Sequence, residues 1–369
     1  MSARIENYDS DRAYQGYTLF AYTQIDPDEP AGIYLIDMEG ELVHQWKVET
    51  ALQSYCKLLR DGNLLYPTRD RTDLSAAGIR ELTPDSEEVW FYHCRADHDM
   101  QVVGVTDNES PHIPDGRLLI HTLDDHMVPH IGNGLKRNPY IIDVDREGNL
   151  HWEWRGEDHF DEIRELLPAH DWAFVEDRIK NRYGFDWAHN NTAQIIPPNK
   201  THETEVADGA PERFAPGNIV FSYRSLDVIG VIDYPSGEIV WAWGPGELDG
   251  QHLPHVLPSG KILIFDNGTE REWSRVIEVD PLTQEITWQY PAEPDPEFYS
   301  PAISGAKRLP NGNTLVCSGN QRWLFELTPD GDIVWETTDP CRELDVAGGS
   351  VYRAQRYSPE YVEPLLDRI

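Results

Sequence analysis

The amino-acid sequence predicts an all-β fold, and within that class a six-bladed β-propeller. A hairpin pattern that ends in tryptophan occurs six times along the 369 residues. A second hairpin pattern alternates with it, so that each repeat offers four short strands. Uninterrupted repeats are about 45 residues long, and four strands in a repeat of that length are typical of one propeller blade.

The tryptophan-ending hairpins mark the ends of the six blades. In each, an apolar strand leads through a turn into a second strand that ends at tryptophan. These residues are Trp46, Trp90, Trp152, Trp241, Trp288 and Trp335, at intervals of 44, 62, 89, 47 and 47 residues. We expect each indole to pack in the core between neighbouring blades. The two long intervals predict insertions in blades three and four.

The insertions are predicted at about residues 155–188 and 199–215. Residues 158–167 have the apolar spacing of a helix, whereas residues 199–215 are polar, contain proline and glycine, and are predicted to form a loop. Both flank His189, and insertions beside a site usually shape its mouth. The repeats otherwise run through the chain, which predicts a single domain over residues 1–369.

The two ends of the chain predict how the ring of blades closes. The first repeat starts at residues 16–22 and lacks the first strand that the other repeats have. Residues 350–357 alternate in polarity, are rich in aromatic side chains, and are the natural donor of that strand. Closure by a C-terminal strand would remove an exposed sheet edge.

Charge and cysteine content limit the classes of partner and the compartment. The chain has 65 acidic and 31 basic residues, a net charge of −34, which disfavours nucleic acids and anionic membrane surfaces as partners. Its N-terminus lacks the apolar core of a signal peptide, and no apolar run approaches about 20 residues. Cys56, Cys94, Cys317 and Cys341 have no CxxC spacing, and we expect reduced thiols in a cytoplasmic protein. The oligomeric state is left open.

A histidine precedes the first strand in three repeats. Aligning the repeats places His98, His189 and His252 at one position, which Ser304 occupies in repeat six and Ser54 or Tyr55 in repeat two. In a propeller the first strands line the central channel, so these side chains would form a ring around its axis. The three histidines are therefore the candidate catalytic residues.

Amide and guanidinium groups surround these histidines in the sequence. Asn191 follows His189 by two residues, so the two side chains point the same way in an extended strand. Such donors beside imidazoles suit an anionic tetrahedral group, such as a sulfate or phosphate ester. Arg353 and Arg356 lie on the proposed closing strand. The predicted substrate-binding residues are Asn191, Arg224, Asn267, Ser304, Arg353 and Tyr55.

Several motifs resemble the arylsulfotransferase β-propeller family, bacterial enzymes that do not use phosphoadenylyl sulfate. They are Asp-Trp-Ala-His-Asn-Asn at 186–191, Gly-Gln-His-Leu-Pro at 250–254 with the hairpin to 268, and the segments 274–280 and 304–315. The resemblance spans about residues 16–357 and is densest over 186–336. It implies a six-bladed propeller that moves a sulfuryl group from an aryl sulfate to a phenol, in a ping-pong reaction through a sulfohistidine.

The resemblance also implies roles for individual residues, and it implies no cofactor. His252 matches the histidine that becomes sulfated, and His98 and His189 match the acid and base histidines that flank it. Asn191 and Arg224 match the donors to the sulfate oxygens. The substrate would be a small anionic aromatic molecule. On chemical grounds, a neutral imidazole is a competent nucleophile and a second one can protonate the departing phenolate.

Two other functions remain open from the sequence. A lyase or hydrolase could use His98, His189 and His252 as acid and base, or as ligands of a divalent metal such as Zn²⁺ or Mn²⁺. A non-catalytic propeller could serve as a binding platform, since this fold hosts many functions. Ten other histidines, His121 among them, are assigned surface or structural roles.

Overall fold

The computed structural model describes residues 3–23, 31–48, 50–69, 74–105, 108–167, 172–179, 184–338, 340 and 349–369. Over these residues 25 strands pair into six antiparallel sheets, one for each predicted repeat. The fold is a six-bladed β-propeller, as predicted. The chain divides into two compact units of three blades each, the first being Met1–Ala96, Glu272–Ser274 and Tyr290–Ile369 and the second Asp97–Arg271 and Arg275–Gln289. That residues 1–369 form a single domain stays a prediction.

The first unit holds blades one, two and six. Blade one has the order β25 (Val351–Tyr357), β2 (Tyr17–Tyr22), β3 (Ala31–Ile36) and β4 (Leu42–Val48). Blade two has β5 (Lys57–Leu58), β6 (Leu64–Thr68), β7 (Gly78–Leu82) and β8 (Glu88–His93). Blade six has β21 (Gly305–Arg308), β22 (Thr314–Ser318), β23 (Trp323–Leu327), β24 (Ile333–Thr338) and, at its edge, β1 (Ile5–Tyr8). A 3-10 helix, Leu74–Ala76, and helix α4, Pro359–Leu366, complete this unit.

The second unit holds blades three, four and five. Blade three has β9 (Ala96–Val102), β10 (Leu118–Met127), β11 (Leu135–Val144) and β12 (Leu150–Arg155). Blade four has β13 (Asn190–Ile195), β14 (Ile219–Tyr223), β15 (Val228–Ile232) and β16 (Ile239–Trp243). Blade five has β17 (His252–Val256), β18 (Ile262–Asp266), β19 (Arg275–Asp280) and β20 (Glu285–Tyr290). A 3-10 helix, Arg224–Leu226, follows β14.

The C-terminal strand β25 completes blade one. It pairs antiparallel with β2, with Tyr17 opposite Tyr357 and Thr18 opposite Arg356. The prediction that residues 350–357 supply the missing strand is confirmed. The N-terminal strand β1 pairs with β24 of blade six, which the repeat pattern did not predict. Blades one and six therefore each contain a strand from one end of the chain.

Indole groups at the blade ends join neighbouring blades within each unit. Trp335 is fully buried, and its Nε1 donates to the carbonyl of Met38 at 2.9 Å, in a turn of blade one. Trp241 in blade four makes the same kind of bond, 3.2 Å long, to the carbonyl of Pro281 in blade five. For these tryptophans the predicted packing between blades is confirmed.

In blade one, a histidine takes the position that tryptophan occupies in blade six. In β4 the position that Trp335 occupies in β24, just after the strand's register shift, holds His44. The Nε2 of His44 lies 2.9 Å from the carbonyl of Pro84 in blade two, so an imidazole takes the place of the indole. Trp46 lies two residues further and is itself fully buried.

Both predicted insertions are present, and both contain helices. The first includes a 3-10 helix, Gly156–His159, then α1, Phe160–Leu166, and α2, Trp172–Asp177, while residues 168–171 and 180–183 lie outside the described residues. The helix predicted over 158–167 is confirmed.

The loop predicted at 199–215 is wrong, because this segment contains α3, Lys200–Asp208. Asn199 caps α3 by accepting the backbone N–H of His202, and Gly209 ends it in the left-handed region, with φ of 64°.

Candidate active site

His98 is held by a carboxylate next to it on β9. Its Nδ1 donates to Oδ2 of Asp97 at 2.5 Å, and its side chain is 14% exposed while that of Asp97 is 8% exposed. Burial raises the pKa of Asp97, but attraction to His98 and this hydrogen bond outweigh burial and lower the pKa below its usual range. Asp97 therefore stays ionised and fixes the ring of His98.

His189 has the same kind of partner on a different element. Its Nδ1 donates to Oδ2 of Asp186 at 2.6 Å, and burial of Asp186 is again outweighed by His189, so that the pKa of Asp186 is lowered. His189 lies in the left-handed region, with φ of 46°, just before β13. The rings of His98 and His189 meet edge to face with centroids 4.8 Å apart. The structure thus brings two predicted site residues together, and each is hydrogen-bonded to a different carboxylate.

A buried aromatic anchor and a bulge place His189. Trp187 is fully buried, and its Nε1 donates to Oδ1 of Asn138 at 3.0 Å. After His189, Oδ1 of Asn190 accepts the backbone N–H of Ser222 at 2.9 Å, at the register shift near the start of β13. This β-bulge turns the chain where the histidine is presented.

Asn191 and Arg224 connect His189 to the neighbourhood of His252. Nδ2 of Asn191 donates to the carbonyl of Gln251 at 2.8 Å, and the backbone N–H of Arg224 donates to the carbonyl of His189 at 3.3 Å. A Cβ added at Gly250 would lie 3.9 Å from Nε of Arg224, so that guanidinium lies against the chain just before His252. Both predicted sulfate donors are therefore placed between two of the predicted histidines.

His252 differs from the other two histidines in its partners. It is buried at the start of β17, and its Nδ1 lies 2.7 Å from Oδ1 of Asn267 and 3.2 Å from the carbonyl of Gly250. A backbone carbonyl can only accept, so Nδ1 carries the hydrogen and Nε2 carries the ring's lone pair. The partner of His252 is neutral, whereas the partners of His98 and His189 are carboxylates.

The backbone shows which residues are equivalent between blades. In five blades the first hairpin closes with one N–H to carbonyl bond across its turn, donated by Leu59, Val103, Ile196, Leu257 and Leu309. Five residues before these donors lie Ser54, His98, Asn191, His252 and Ser304. His189 lies two residues before its blade's equivalent position, so the alignment that gave it the same position as His98 and His252 is wrong. Ser54, not Tyr55, is the equivalent in blade two.

The first insertion supports the segment before His252. Arg178, in the π-helical residues that directly follow α2, donates through Nη1 to Oδ2 of Asp227 at 2.5 Å, and both side chains are largely buried. The other carboxylate oxygen, Oδ1 of Asp227, accepts the backbone N–H of Gly250 at 2.8 Å. Burial raises the pKa of Asp227, and the ion pair with Arg178 opposes that effect. This buried ion pair thus links the insertion to the segment before His252.

His121 is a residue near this site that the sequence analysis missed. It lies on β10, is fully buried, and its ring centroid is 6.3 Å from that of His98. Its Nδ1 is 3.8 Å from Oδ2 of Asp97, and burial lowers the pKa of His121 to about 4, so the ring is neutral near pH 7. Ligand atoms of Asp97, His98 and His121 lie within 4.8 Å of one another, close enough to hold a metal ion.

Three of the predicted substrate-binding residues belong to the first unit. Arg353, on β25, is nearly buried and its guanidinium lies 4.8 Å from the ring centroid of Tyr55. Ser304 accepts the backbone N–H of Gly319 through Oγ at 2.9 Å and donates to Oγ of Ser300 at 2.8 Å. Arg356, by contrast, has a structural role, as its Nη1 lies 3.3 Å from Oε2 of the fully buried Glu326.

Comparison with known proteins decides the family. Residues 72–339 match the family model described as arylsulfotransferase (ASST), which is more than half of the chain. The chain belongs to the arylsulfotransferase family. The motifs at 186–191 and 250–268, which carried the resemblance in the sequence, lie inside the matched range. No curated protein sequence matches the chain.

Solved structures share the fold of this arylsulfotransferase-family chain at low sequence identity. A protein of unknown function from Bacteroides caccae is 15% identical with a TM-score of 0.55, over 93% of this chain and 99% of that chain. A catalytically inactive virginiamycin B lyase from Staphylococcus aureus with quinupristin is 12% identical with a TM-score of 0.43, over 90% and 87%. The Cps50 (Swd1) β-propeller domain of Myceliophteria thermophila is 12% identical with a TM-score of 0.46, over 90% and 89%. The first similarity supports the fold alone.

Two further predictions concern the cysteines and the compartment. Cys56, Cys94 and Cys317 are free thiols, and Cys341 lies outside the described residues. Within the described part of the chain, no helix is both long and apolar enough to cross a membrane. The cytoplasmic location stays a prediction.

Proposed function

We propose that this member of the arylsulfotransferase family transfers a sulfuryl group from an aryl sulfate to a phenol through a sulfohistidine at His252. The observation that carries the proposal is the hydrogen bonding of the His252 ring. Asn267 and the carbonyl of Gly250 both accept from Nδ1, which leaves the nucleophilic lone pair on Nε2. A neutral acceptor gives an imidazolium no ionic stabilisation, and the neutral ring is the form that attacks.

The reaction is written as two displacements at sulfur. In the first, the lone pair on Nε2 of His252 forms an N–S bond while the bond from sulfur to the aryl oxygen breaks. That oxygen keeps the electron pair and takes a proton from a neighbouring imidazolium, which releases a phenol. In the second, another phenol loses its proton to the same imidazole and attacks the sulfur, and the N–S electron pair returns to Nε2.

His98 and His189 are the proton donor and acceptor in this scheme. Each donates its Nδ1 hydrogen to a carboxylate, at 2.5 Å in one case and 2.6 Å in the other. Since Asp97 and Asp186 have lowered pKa values, both remain ionised and stabilise an imidazolium next to them. The Nε2 atoms of the two rings are the proposed sites of proton exchange with the aryl oxygen.

Asn191 and Arg224 are the proposed donors to the sulfate oxygens. Asn191 donates through Nδ2 to the carbonyl of Gln251, which holds its amide beside the residue that precedes His252. The guanidinium of Arg224 supplies the positive charge that a sulfate ester and its transition state need in a protein of net charge −34. The substrate is accordingly a small anionic aromatic molecule. Arg353, Tyr55 and Ser304 stay predicted substrate-binding residues.

Intact-protein mass spectrometry tests the proposal. After mixing with 4-nitrophenyl sulfate, we expect an adduct of about 80 Da and one equivalent of released 4-nitrophenol. The adduct should be absent in His252→Gln and present in His255→Gln, a matched change of the other buried histidine on β17. Nitrophenol release without an adduct would identify a hydrolase. If neither an adduct nor nitrophenol formed, the transferase assignment would be contradicted.

A further inference from the structure

We infer that Asp97, His98 and His121 form a binding site for one divalent first-row transition cation of the Zn²⁺ class. The site lies in blade three, between the adjacent strands β9 and β10. It does not rest on the proposed sulfuryl transfer. A bound cation would replace the hydrogen on Nδ1 of His98 that an imidazolium needs, so cation binding would compete with the proposed acid role of that residue. The ligands would be one carboxylate oxygen and two imidazole nitrogens.

The distances suit an ion of this size after a small adjustment. Around a tetrahedral ion with ligands at about 2.0–2.2 Å, neighbouring ligand atoms are roughly 3.3–3.6 Å apart. Nδ1 of His121 is 3.8 Å from Oδ2 of Asp97, and Nδ1 of His98 is 2.5 Å from the same oxygen. The His121 nitrogen therefore has to approach slightly and the His98 nitrogen has to withdraw slightly, as the ion replaces the hydrogen between His98 and Asp97.

The burial of His121 gives independent support. Its side chain is 0% exposed, and neither ring nitrogen has a hydrogen-bond partner among the residues that the structure describes. A buried polar atom left without a partner destabilises the folded state. Its direct partner across β10 and β11 is Ile141, which offers no polar side-chain atom. A ligand that accepts the lone pair of the neutral ring removes this cost.

The charge around the cluster favours a cation over an anion. Asp97 and Asp99 are two buried carboxylates on one strand, separated by a single residue. Oδ2 of Asp99 accepts the backbone N–H of Ala193 at 2.9 Å and Nε2 of Gln194 at 2.8 Å, which are neutral donors. These bonds tie β9 to β13 and hold the strand that carries Asp97 and His98. Two buried carboxylates this close together attract a cation and repel an anion.

The ligand types select the class of cation. Imidazole nitrogen with a carboxylate suits Zn²⁺, Co²⁺, Fe²⁺ and Mn²⁺, whereas Mg²⁺ and Ca²⁺ prefer oxygen ligands throughout. Three protein ligands also leave a coordination position for water or another group, as in catalytic rather than structural zinc sites. We therefore expect Zn²⁺ and Co²⁺ to bind more tightly than Ca²⁺.

Titration of the chelator-treated, full-length protein tests the site. Isothermal titration calorimetry should show one equivalent of Zn²⁺, and Co²⁺ should give visible absorption bands of a nitrogen- and oxygen-coordinated ion. His121→Gln and Asp97→Asn should each weaken Zn²⁺ binding by at least about 100-fold. His126→Gln changes a half-exposed histidine on the same strand and should leave binding unchanged.

Absence of stoichiometric Zn²⁺ binding to the unchanged protein would overturn the site, whichever variants fold. Binding that survives both His121→Gln and Asp97→Asn would also overturn it. The two proposals fail separately, because His252→Gln should abolish the sulfuryl adduct and retain Zn²⁺ binding. Far-ultraviolet circular dichroism of each variant shows that a loss of binding is not a loss of folding.

Discussion

The side-chain amide of Asn191 donates to the carbonyl of Gln251, 2.8 Å away, and so joins blade four to the residue just before His252. The same residue is the blade-four equivalent of His252, counted from the closing bond of each hairpin. Blade four therefore contributes an amide where blade five contributes an imidazole. The position of the proposed nucleophile depends on the blade before it as well as on its own hairpin.

Removal of the acceptor that orients His252 should slow the first displacement. Asn267→Leu takes away Oδ1, so Nδ1 no longer has its closest acceptor and the ring can rotate or change tautomer. We expect kcat/KM for 4-nitrophenyl sulfate to fall about 10–100-fold. Asn149→Leu changes an asparagine on an exposed turn of blade three and should leave kcat/KM unchanged. Equal values for both variants would contradict the role of Asn267.

Leaving-group dependence should identify the acid among the paired histidines. A general acid contributes about 10²–10⁴-fold when the leaving group is a poor one, and less when the phenolate is already stable. Of His98→Gln and His189→Gln, the variant that lacks the acid should therefore lose more activity with phenyl sulfate than with 4-nitrophenyl sulfate. His126→Gln serves as the control. A loss that is the same for both esters in both variants would remove the acid role from the pair.

The buried ion pair behind Gly250 should matter for stability. Arg178→Met leaves the carboxylate of Asp227 in a largely buried place without its cation, and such a change costs about 3–5 kcal/mol. Adding Asp227→Asn removes the charge, so the double variant should recover part of the loss in the free energy of unfolding. Urea unfolding of the two single variants and the double variant measures the coupling. Additive losses would show that the two residues do not interact.

The repeats made most of the fold predictable, because turn residues and period are local features of the sequence. The missing first strand of blade one was equally visible, since only residues 350–357 had the right pattern to fill it. Helix α3 was missed because proline and glycine after it outweighed its start and stop signals. Those signals were Asn199 at the cap and Gly209 at the end, and they were in the sequence.

The parts of the site that could not be predicted depend on register. His189 lies two residues before the common repeat position, just before β13, and the register shifts near the starts of β13 and β17 leave no reliable mark in a sequence. His121 is brought to Asp97 by pairing between strands whose connection spans residues 103–117. Its partners are therefore not neighbours in the repeat, and no spacing rule pointed to them.

The thiols should be unreactive in the folded protein. Burial raises the pKa of Cys94 and of Cys317 to about 12, so at pH 8 roughly one thiol in 10⁴ is ionised. Since the thiolate is the nucleophile, alkylation by iodoacetamide should be slow in buffer and should increase about tenfold per pH unit below the pKa. Peptide mapping before and after urea unfolding measures this. Rapid modification of Cys317, which is buried, in the native protein would contradict this expectation.

Two arginines on β25, three residues apart, should separate substrate binding from stability. The side chain of Arg356 is 0% exposed, its Nη1 lies 3.3 Å from Oε2 of the fully buried Glu326, and its guanidinium lies 4.5 Å from the ring centroid of Trp335. Arg356→Met leaves Glu326 as an uncompensated buried charge, which should cost about 3–5 kcal/mol in the free energy of unfolding.

Arg353→Met is the matched change of the other arginine on β25. Its guanidinium stacks on Tyr55, and we expect this variant to remain folded while kcat/KM for aryl sulfates falls by at least about tenfold, as for loss of a charged hydrogen bond to the substrate. Urea unfolding and steady-state kinetics of both variants measure the two effects. If Arg353→Met lost as much stability as Arg356→Met, with unchanged kcat/KM per folded molecule, then both arginines would be structural and β25 would contribute no substrate contact through them.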